Sequence, residues 1–189
     1  MGELSYSEDM SEEPKAVIEI EPIQESRGSM VKTRDQIKKL VEVPLLSACE
    51  ELYDKNIRTV STSANKKDIE SGRPGYIIID FGSLSEENRK IARQLGELSH
   101  EDNTGQILIE IPLAKNTTAD EIKKFAESIA HKFEKQLMTW APTYTLQDLR
   151  EIYCDNEAQV EDFIDGYYYN PKEKLFYLSE EHFKKTNEK

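Results

Sequence analysis

The residues best suited to binding a ligand lie in a locally basic stretch, residues 58–73. This stretch contains four basic and two acidic side chains. Hydroxyl, amide and backbone N–H groups beside Lys and Arg side chains suit a phosphate or a carboxylate. The stretch lacks the glycines of a Walker loop or a dinucleotide-binding motif. A solvated loop with turn and helix-capping side chains is therefore the alternative interpretation. The candidate anion ligands are Arg58, Ser61, Ser63, Asn65, Lys66 and Arg73.

A second candidate is an aromatic stretch in which five Tyr and Phe side chains fall within residues 167–177. Alternation along a strand places Tyr167 and Tyr169 on one face and Tyr168 on the other. One face can then pack on the domain while the other meets a protein partner or a second copy of the chain. The candidate partner surface consists of Tyr167, Tyr169 and Tyr177, and packing within the domain is the alternative interpretation.

Histidine and cysteine spacing predicts neither a metal site nor a nucleophile with its base. His100, His131 and His182 each lack a second His three or four residues away. Cys49 and Cys154 lie 105 positions apart, so two reduced thiols are expected rather than a disulfide. The sequence therefore predicts no catalytic residues, no metal and no cofactor.

Charge and hydropathy exclude several classes of function. The chain has 189 residues and a net charge of −12, which argues against a general nucleic-acid binder because phosphate contacts require a positive surface. No apolar run is long enough to span a membrane. The first residues show no basic region followed by an apolar stretch, so we expect a cytoplasmic protein.

The pattern of residues 15–114 predicts a ferredoxin-like βαββαβ sandwich of the α+β class. Apolar periodicity, helix-capping residues and breaker residues define each element. The predicted order is a strand at 16–20, a helix from Thr33 that Pro44 interrupts and that stops near Asn56, a strand at 57–61, a short helix after Asn65, a strand at 76–81 that is buried on both faces, a helix ending at Gly96, and a strand at 106–111.

The residues before and after this predicted domain are expected to lie outside its βαββαβ arrangement. Residues 1–14 form an acidic tail with little to bury, which we expect to be disordered. Residues 115–189 form a helical extension with a C-terminal β-hairpin packed on the domain. The extension comprises a helix from Thr118 to about Trp140, one or two helices within 147–164, a hairpin at 166–178, and a short helix from Ser179.

The leading functional expectation is an interaction or regulatory module without a catalytic set of residues. Its possible partners are another protein or a second copy of the chain, and neither a membrane nor a nucleic acid is expected. The alternative is an enzyme or sensor that binds a small phosphorylated or carboxylated metabolite at the 58–73 loop.

Overall fold

The computed structural model describes residues 34–98, 105–137, 143–165 and 167–177. These residues form a mixed helix and sheet structure, which confirms the predicted α+β class. The helices among them are α1 (Arg34–Leu40), α2 (Leu46–Asp54), α3 (Lys66–Ser71), α4 (Glu86–Leu95), α5 (Ala119–Lys132), α6 (Leu146–Ile152) and α7 (Glu157–Ile164), with 3₁₀ turns at Val43–Leu45 and Phe81–Ser83. The strands are β1 (Thr59–Ser63), β2 (Gly75–Asp80), β3 (Glu97–Leu98), β4 (Gln106–Ile111), β5 (Thr143–Tyr144), β6 (Tyr168–Asn170) and β7 (Leu175–Tyr177).

The main sheet has the strand order β1-β2-β4-β3, and every neighbouring pair is antiparallel. The pair β2–β4 is at its centre, with Ile77 opposite Ile109 and Ile79 opposite Ile107. These four side chains are at most 2% exposed. The predicted strands at 76–81 and 106–111 thus form the centre of the core.

The strand order of the ferredoxin-like arrangement is not confirmed. That arrangement makes the strands at 76–81 and 106–111 parallel, with the first strand between them. Here β2 and β4 are direct antiparallel neighbours. The reason is β3, a two-residue strand that sequence periodicity missed because two residues show no period. The chain passes from β2 through α4 to β3 and then returns, so β4 lies between β2 and β3.

Two further predictions for this domain lie outside the described residues: the strand at 16–20 and the disordered tail at 1–14. The division at 114/115 stays a prediction. One hydrophobic cluster contains residues from both sides of that boundary, including Ile109 and Ile122.

Strand β2 corrects one expectation about burial. Its continuous apolar run predicted burial on both faces, but its residues alternate between buried and intermediate exposure. Ile77 and Ile79 are fully buried, whereas Ile78 on the opposite face is only partly covered. The continuous apolar run of β2 therefore has one fully buried face and one face that is only partly buried.

The predicted interruption at Pro44 is confirmed by the 3₁₀ turn that separates α1 from α2. Proline cannot donate the backbone hydrogen bond that a continuous helix requires, so the chain tightens before α2 begins. Helix α2 packs against α5. Leu45, Ala48 and Leu52 are buried there with Ile122 and Ala126.

Helix α5 begins as predicted, since Thr118 and Glu121 cap each other's backbone N–H groups. It ends at Lys132, well before the expected Trp140. Phe133 adopts an extended conformation and remains buried, but Leu137, which the helical period placed on the apolar face, is 88% exposed. Hydrogen bonds of the Asn88 and Gln136 side chains hold residues 133–137 in an extended conformation. No local sequence pattern predicts these hydrogen bonds.

The second sheet has the order β5-β7-β6, with antiparallel pairs throughout. Strands β6 and β7 form the predicted aromatic hairpin, and residues 171–174 form its turn. Two helices, α6 and α7, precede the hairpin, as the sequence predicted. The expected final helix from Ser179 lies outside the described residues.

Candidate functional site

The predicted anion loop is organised by the cap of α3. The Asn65 side-chain oxygen accepts hydrogen bonds from the backbone N–H groups of Lys67 and Asp68, at 2.9 and 3.3 Å. The Asp68 carboxylate accepts the Asn65 backbone N–H at 3.2 Å. Because this reciprocal cap occupies the first backbone donors of the helix, those donors already have acceptors within the chain.

The hydroxyl and amide donors of the same loop also point at carboxylates. Ser63 Oγ donates to Asp68 Oδ2 at 2.6 Å. Asn65 Nδ2 donates to Glu42 Oε1 at 2.9 Å and to Ser63 Oγ at 3.1 Å. Glu42 is 6% exposed, and burial raises the pKa of its carboxyl against the lowering effect of the Asn65 hydrogen bond. The structure thus brings Ser63 and Asn65 together around acidic groups of the chain itself.

The basic side chains among the candidate anion ligands lie beyond opposite ends of β1. Arg58 is the residue before β1, and its Nη1 lies 3.3 Å from Asp80 Oδ2. Burial raises the pKa of Asp80, and the nearby Arg58 guanidinium opposes that rise. Arg58 and Asn65 lie beyond opposite ends of a five-residue strand that is itself about 17 Å long.

The remaining candidate anion ligands are near α3 or on β1. Lys66 Nζ lies 3.7 Å from the Glu70 carboxylate, and Arg73 Nε donates to Ser71 Oγ at 3.1 Å. Ser61 is exposed on β1. The six residues therefore do not surround one point, and anion binding by the loop stays a prediction.

The three tyrosines of the predicted partner surface have different environments. Tyr177 is 6% exposed, its hydroxyl donates to Glu173 Oε2 at 2.6 Å, and burial raises its pKa. Tyr167 is partly buried, with its ring edge-on to Tyr144 at a centroid distance of 6.3 Å. Tyr169 is 44% exposed. Of the three, Tyr169 presents the largest surface to solvent.

Tyr169 lies across the hairpin from Phe176. The two residues are paired in the strand register, and their ring centroids are 4.8 Å apart at an angle of 37°. Phe176 is 6% exposed and belongs to the main hydrophobic cluster. The Tyr169 ring therefore contacts a core residue on one side and solvent on the other. It lies on β6, the outer strand of the second sheet.

A largely buried ion-pair cluster joins the second sheet and α6 to helix α4. Arg89 Nη1 contacts Asp148 Oδ2 at 2.9 Å, and Arg93 Nη2 contacts Asp148 Oδ1 at 3.0 Å. Arg89 also donates to the backbone oxygen of Thr143 in β5. Both guanidinium groups lie over the Phe81 ring, 5.2 and 4.9 Å from its centroid.

This cluster was missed by sequence reasoning. The carboxylate of Asp148 is 59 positions from Arg89, and only the capping role of Asp148 at the start of α6 has a local signature. Gly105 marks the same junction, because a Cβ atom there would collide with the Tyr144 ring. Together these contacts fix β5, and hence the second sheet, against α4 and the start of β4.

An open depression of about 450 Å³ lies beside α2, with charged walls. Arg34 contacts Glu50 and Asp54 at 3.4 and 3.1 Å, and Lys55 contacts Glu51 at 2.6 Å. Most of its charged side chains thus form ion pairs with one another, which is typical of a solvated surface.

The potential nucleophiles and metal ligands are separated. Cys49 is 2% exposed, and burial raises the pKa of its thiol to about 12, whereas Cys154 is exposed. His131 Nδ1 lies 2.5 Å from Glu51 on an exposed helix face. His100 and His182 lie outside the described residues. Within the described ranges, no three His, Cys, Asp or Glu side chains are grouped as a metal site would require.

None of the helices in the described part of the chain is both long and apolar enough to cross a membrane. No family model, curated protein or solved structure matches this chain. A functional assignment must therefore start from the chain's own side chains and from the α+β fold that positions them.

Proposed function

We propose that this chain is a non-catalytic interaction module that binds an extended segment of a protein partner at its C-terminal hairpin, with Tyr169 as the anchor. The observation that carries the proposal is the exposed Tyr169 ring packed, at an angle of 37°, against the buried Phe176 ring. Tyrosine supplies a large contact area at a small cost in rotamer entropy, which is why it is enriched in protein interfaces.

The packing against Phe176 prepares Tyr169 for binding. A ring already held by a core residue loses little further freedom when a partner covers it. Covering a half-exposed aromatic side chain removes apolar surface from water, which stabilises the complex. The pairing of strands β6 and β7 also fixes where along the hairpin the ring projects.

The strand that carries Tyr169 favours an extended partner. Strand β6 is the outer member of its sheet, and no strand within the described ranges pairs with its far side. A partner segment that adds as a strand there gains backbone hydrogen bonds as well as contact with Tyr169. Side chains of the added strand that lie on the Tyr169 face then set the specificity.

The ion-pair cluster of Arg89, Arg93 and Asp148 supports this role. It anchors β5 and α6 to α4, with ion-pair contacts of 2.9 and 3.0 Å, and β7 pairs with β5. A binding strand that is already rigidly positioned loses less conformational entropy when the partner binds. The hairpin is therefore held in place through β5 and α6.

The experiment is a selection of peptides from a random display library on the full chain, followed by affinity measurements. We expect selected peptides to bind the wild-type chain and to protect amides of residues 168–170 from hydrogen exchange. Tyr169→Ala should weaken their binding about tenfold or more, as loss of a central aromatic anchor does. Tyr168→Ala is the matched control, because Tyr168 is the adjacent exposed tyrosine on the opposite face.

Three results would contradict the proposal. The first is a library that yields no binder, and the second is a set of binders whose affinity is unchanged by Tyr169→Ala. The third is light scattering that shows a dimer of the wild-type chain and a monomer of Tyr169→Ala, since the occupant would then be a second copy.

The anion-binding enzyme or sensor stays a second proposal, supported by the local excess of basic residues at 58–73. Its test is the melting temperature in millimolar inorganic phosphate against chloride of equal ionic strength. This second proposal predicts a specific rise in melting temperature, for which Arg58, Ser63 and Asn65 must exchange their contacts with acidic groups of the chain for the anion. A rise that Arg58→Ala plus Lys66→Ala abolishes would favour the anion site instead.

A cytoplasmic location is also proposed, on the basis of cysteine usage. Cys49 and Cys154 are both unpaired thiols, and reducing compartments keep thiols in that state. A fluorescent fusion and cell fractionation would test it.

A further inference from the structure

The outer edge of β1 lacks the charged side chains and the proline that protect many sheet edges. Strand β1 ends the main sheet, and no strand of the described ranges pairs with its far side. Natural edge strands are protected by charged side chains, proline, bulges or a covering element. The β1 sequence is Thr-Val-Ser-Thr-Ser, without charge or proline, in a chain of which 33% is charged.

The surface of β1 is open enough to receive another strand. Val60 is 44% exposed, and Ser61 is exposed beside it. The strand has one irregularity, between Thr59 and Ser61, and then pairs regularly with β2 as far as Ser63. The regular part therefore presents a straight edge of backbone N–H and C=O groups.

The charges around this edge favour an acidic occupant. Arg58 and Lys66 pair with Asp80 and Glu70 at 3.3 and 3.7 Å, which leaves the exposed Lys67, just after β1, to attract an acidic partner. Arg58 precedes β1, while Lys66 and the exposed Lys67 follow it. Opposite charges in adjacent strands attract, and like charges repel, so an acidic strand fits here better than a basic one.

The chain itself contains a segment of this description. Residues 16–21, which lie outside the described residues, read Ala-Val-Ile-Glu-Ile-Glu, with the two-residue period that predicts a strand. Residues 16–25 include three Glu and no basic residue. The segment also matches β1 in length, whereas the other outer strand, β3, has two residues.

The connection is long enough for this segment to reach β1. Glu42, two residues after α1, accepts a hydrogen bond from Asn65, which follows β1. Helix α1 extends about 10 Å from that point and β1 about 17 Å, by standard helix and strand geometry. Residues 22–33 can span about 40 Å when extended, which exceeds the sum of the two.

We propose that residues 16–21 bind as an additional strand along the outer edge of β1 in the same chain. The added strand places Glu19 and Glu21 near the basic residues that flank β1, and it covers an edge that would otherwise pair with other chains. This inference is independent of the proposed role of the hairpin, since the two concern different sheets.

Disulfide trapping tests the proposal on the full chain. The background carries Cys154→Ser, which removes the exposed native thiol, while Cys49 stays buried. Ser61→Cys is combined in turn with Val17→Cys, Ile18→Cys, Glu19→Cys or Ile20→Cys. Only cross-strand neighbours have the Cα separation that a disulfide requires, so one position, or two of the same parity, should give a faster-migrating monomer on a non-reducing gel.

The matched control is Ser29→Cys with Ser61→Cys, because Ser29 lies in the connection rather than in the segment. Equal trapping from Ser29 and from residues 17–20 would overturn the proposal, as would trapping at none of them. Disulfide-linked dimers would also overturn it, since the occupant would then come from a second copy.

Hydrogen exchange supplies a second measurement that requires no new cysteine. Alternate amides of β1 point away from β2. In the wild-type chain they should be protected, and Ile18→Pro should remove that protection because proline interrupts the added strand. Ser11→Pro, in the acidic tail, should leave it unchanged. Fast exchange of these amides in the wild-type chain would contradict the proposal.

Discussion

The side chain of Asn88 pairs with both backbone groups of Glu134. Asn88 Nδ2 donates to the Glu134 carbonyl oxygen at 2.9 Å, and Asn88 Oδ1 accepts the Glu134 N–H at 2.9 Å. Asn88 is 0% exposed, and its amide also donates to Gln136 Oε1 at 2.8 Å. A side-chain amide thus takes the place of a neighbouring strand and holds the chain extended after α5.

Asn88→Ala should destabilise the fold by about 1–3 kcal/mol, because it removes the hydrogen bonds that the buried Asn88 side chain makes with Glu134 and Gln136. Urea unfolding followed by circular dichroism measures the change. Asn116→Ala is the control, since Asn116 is exposed in the turn before α5. Equal stability of the two variants would show that the Asn88 pairing contributes little.

Arg89→Met should destabilise the fold by about 3–5 kcal/mol, as breaking a buried ion pair does. The Arg89 and Asp148 side chains are only 11% and 8% exposed, so removal of the guanidinium leaves a buried carboxylate with fewer partners. Amides of β5 and β7 should also exchange faster with solvent, because the cluster anchors the second sheet.

Arg150→Met is the matched control for Arg89→Met. Its partner contact, 2.9 Å to Glu157, joins side chains that are 40% and 58% exposed. Exposed pairs contribute about 1 kcal/mol or less, so this variant should unfold close to the wild-type midpoint. A loss as large as that of Arg89→Met would mean that burial is not what distinguishes the two pairs.

Glu42→Gln should stabilise the chain near neutral pH. Burial raises the pKa of Glu42 from its ordinary value of 4.5, so the folded state favours the protonated carboxyl. Stability from this group is complete below the unfolded pKa and falls as the pH rises through the folded pKa. Gln keeps an oxygen acceptor for Asn65 and carries no charge.

The advantage of Glu42→Gln in melting temperature should therefore be present at about pH 7 and shrink at about pH 4. Thermal unfolding at both pH values measures it. The exposed Glu110→Gln controls for removal of one negative charge from an acidic protein. An advantage of the same size at both pH values would refute burial of the charge as the cause.

Tyr177→Ser should destabilise the fold by about 2–4 kcal/mol, in the range of large-to-small substitutions at buried sites. Tyr177 is 6% exposed and donates to Glu173, so the loss includes packing and a hydrogen bond. Tyr169→Ser removes a side chain that is 44% exposed and should cost about 1 kcal/mol or less. Thermal unfolding of both variants separates the packing residue from the surface residue.

One thiol per native chain should react rapidly with a thiol-reactive dye. Cys154 is exposed, whereas Cys49 is 2% exposed and burial raises its pKa to about 12. The thiolate is the reactive form, so Cys49 should react only after unfolding. Cys154→Ser should abolish the fast phase, and a remaining fast phase would place Cys49 near the surface.

Local signals in the sequence determined much of the secondary structure. The reciprocal cap at Thr118 and the helix start after Asn65 each involve residues within three positions of one another. Pro44 interrupts a helix through its own ring and missing N–H group. Strands β2 and β4 and the aromatic hairpin follow from runs of β-branched and aromatic residues. All of these are interactions of neighbouring residues, which a sequence pattern records directly.

Tertiary structure decided the strand order, the end of α5 and the exposure of each candidate side chain. Asn88 and Glu134 are 46 positions apart, and Arg89 and Asp148 are 59 apart. No period or spacing encodes such pairs, because they form only when separate elements pack. Tyr169 and Tyr177 differ in exposure for the same reason, since burial depends on what lies across from a residue in space.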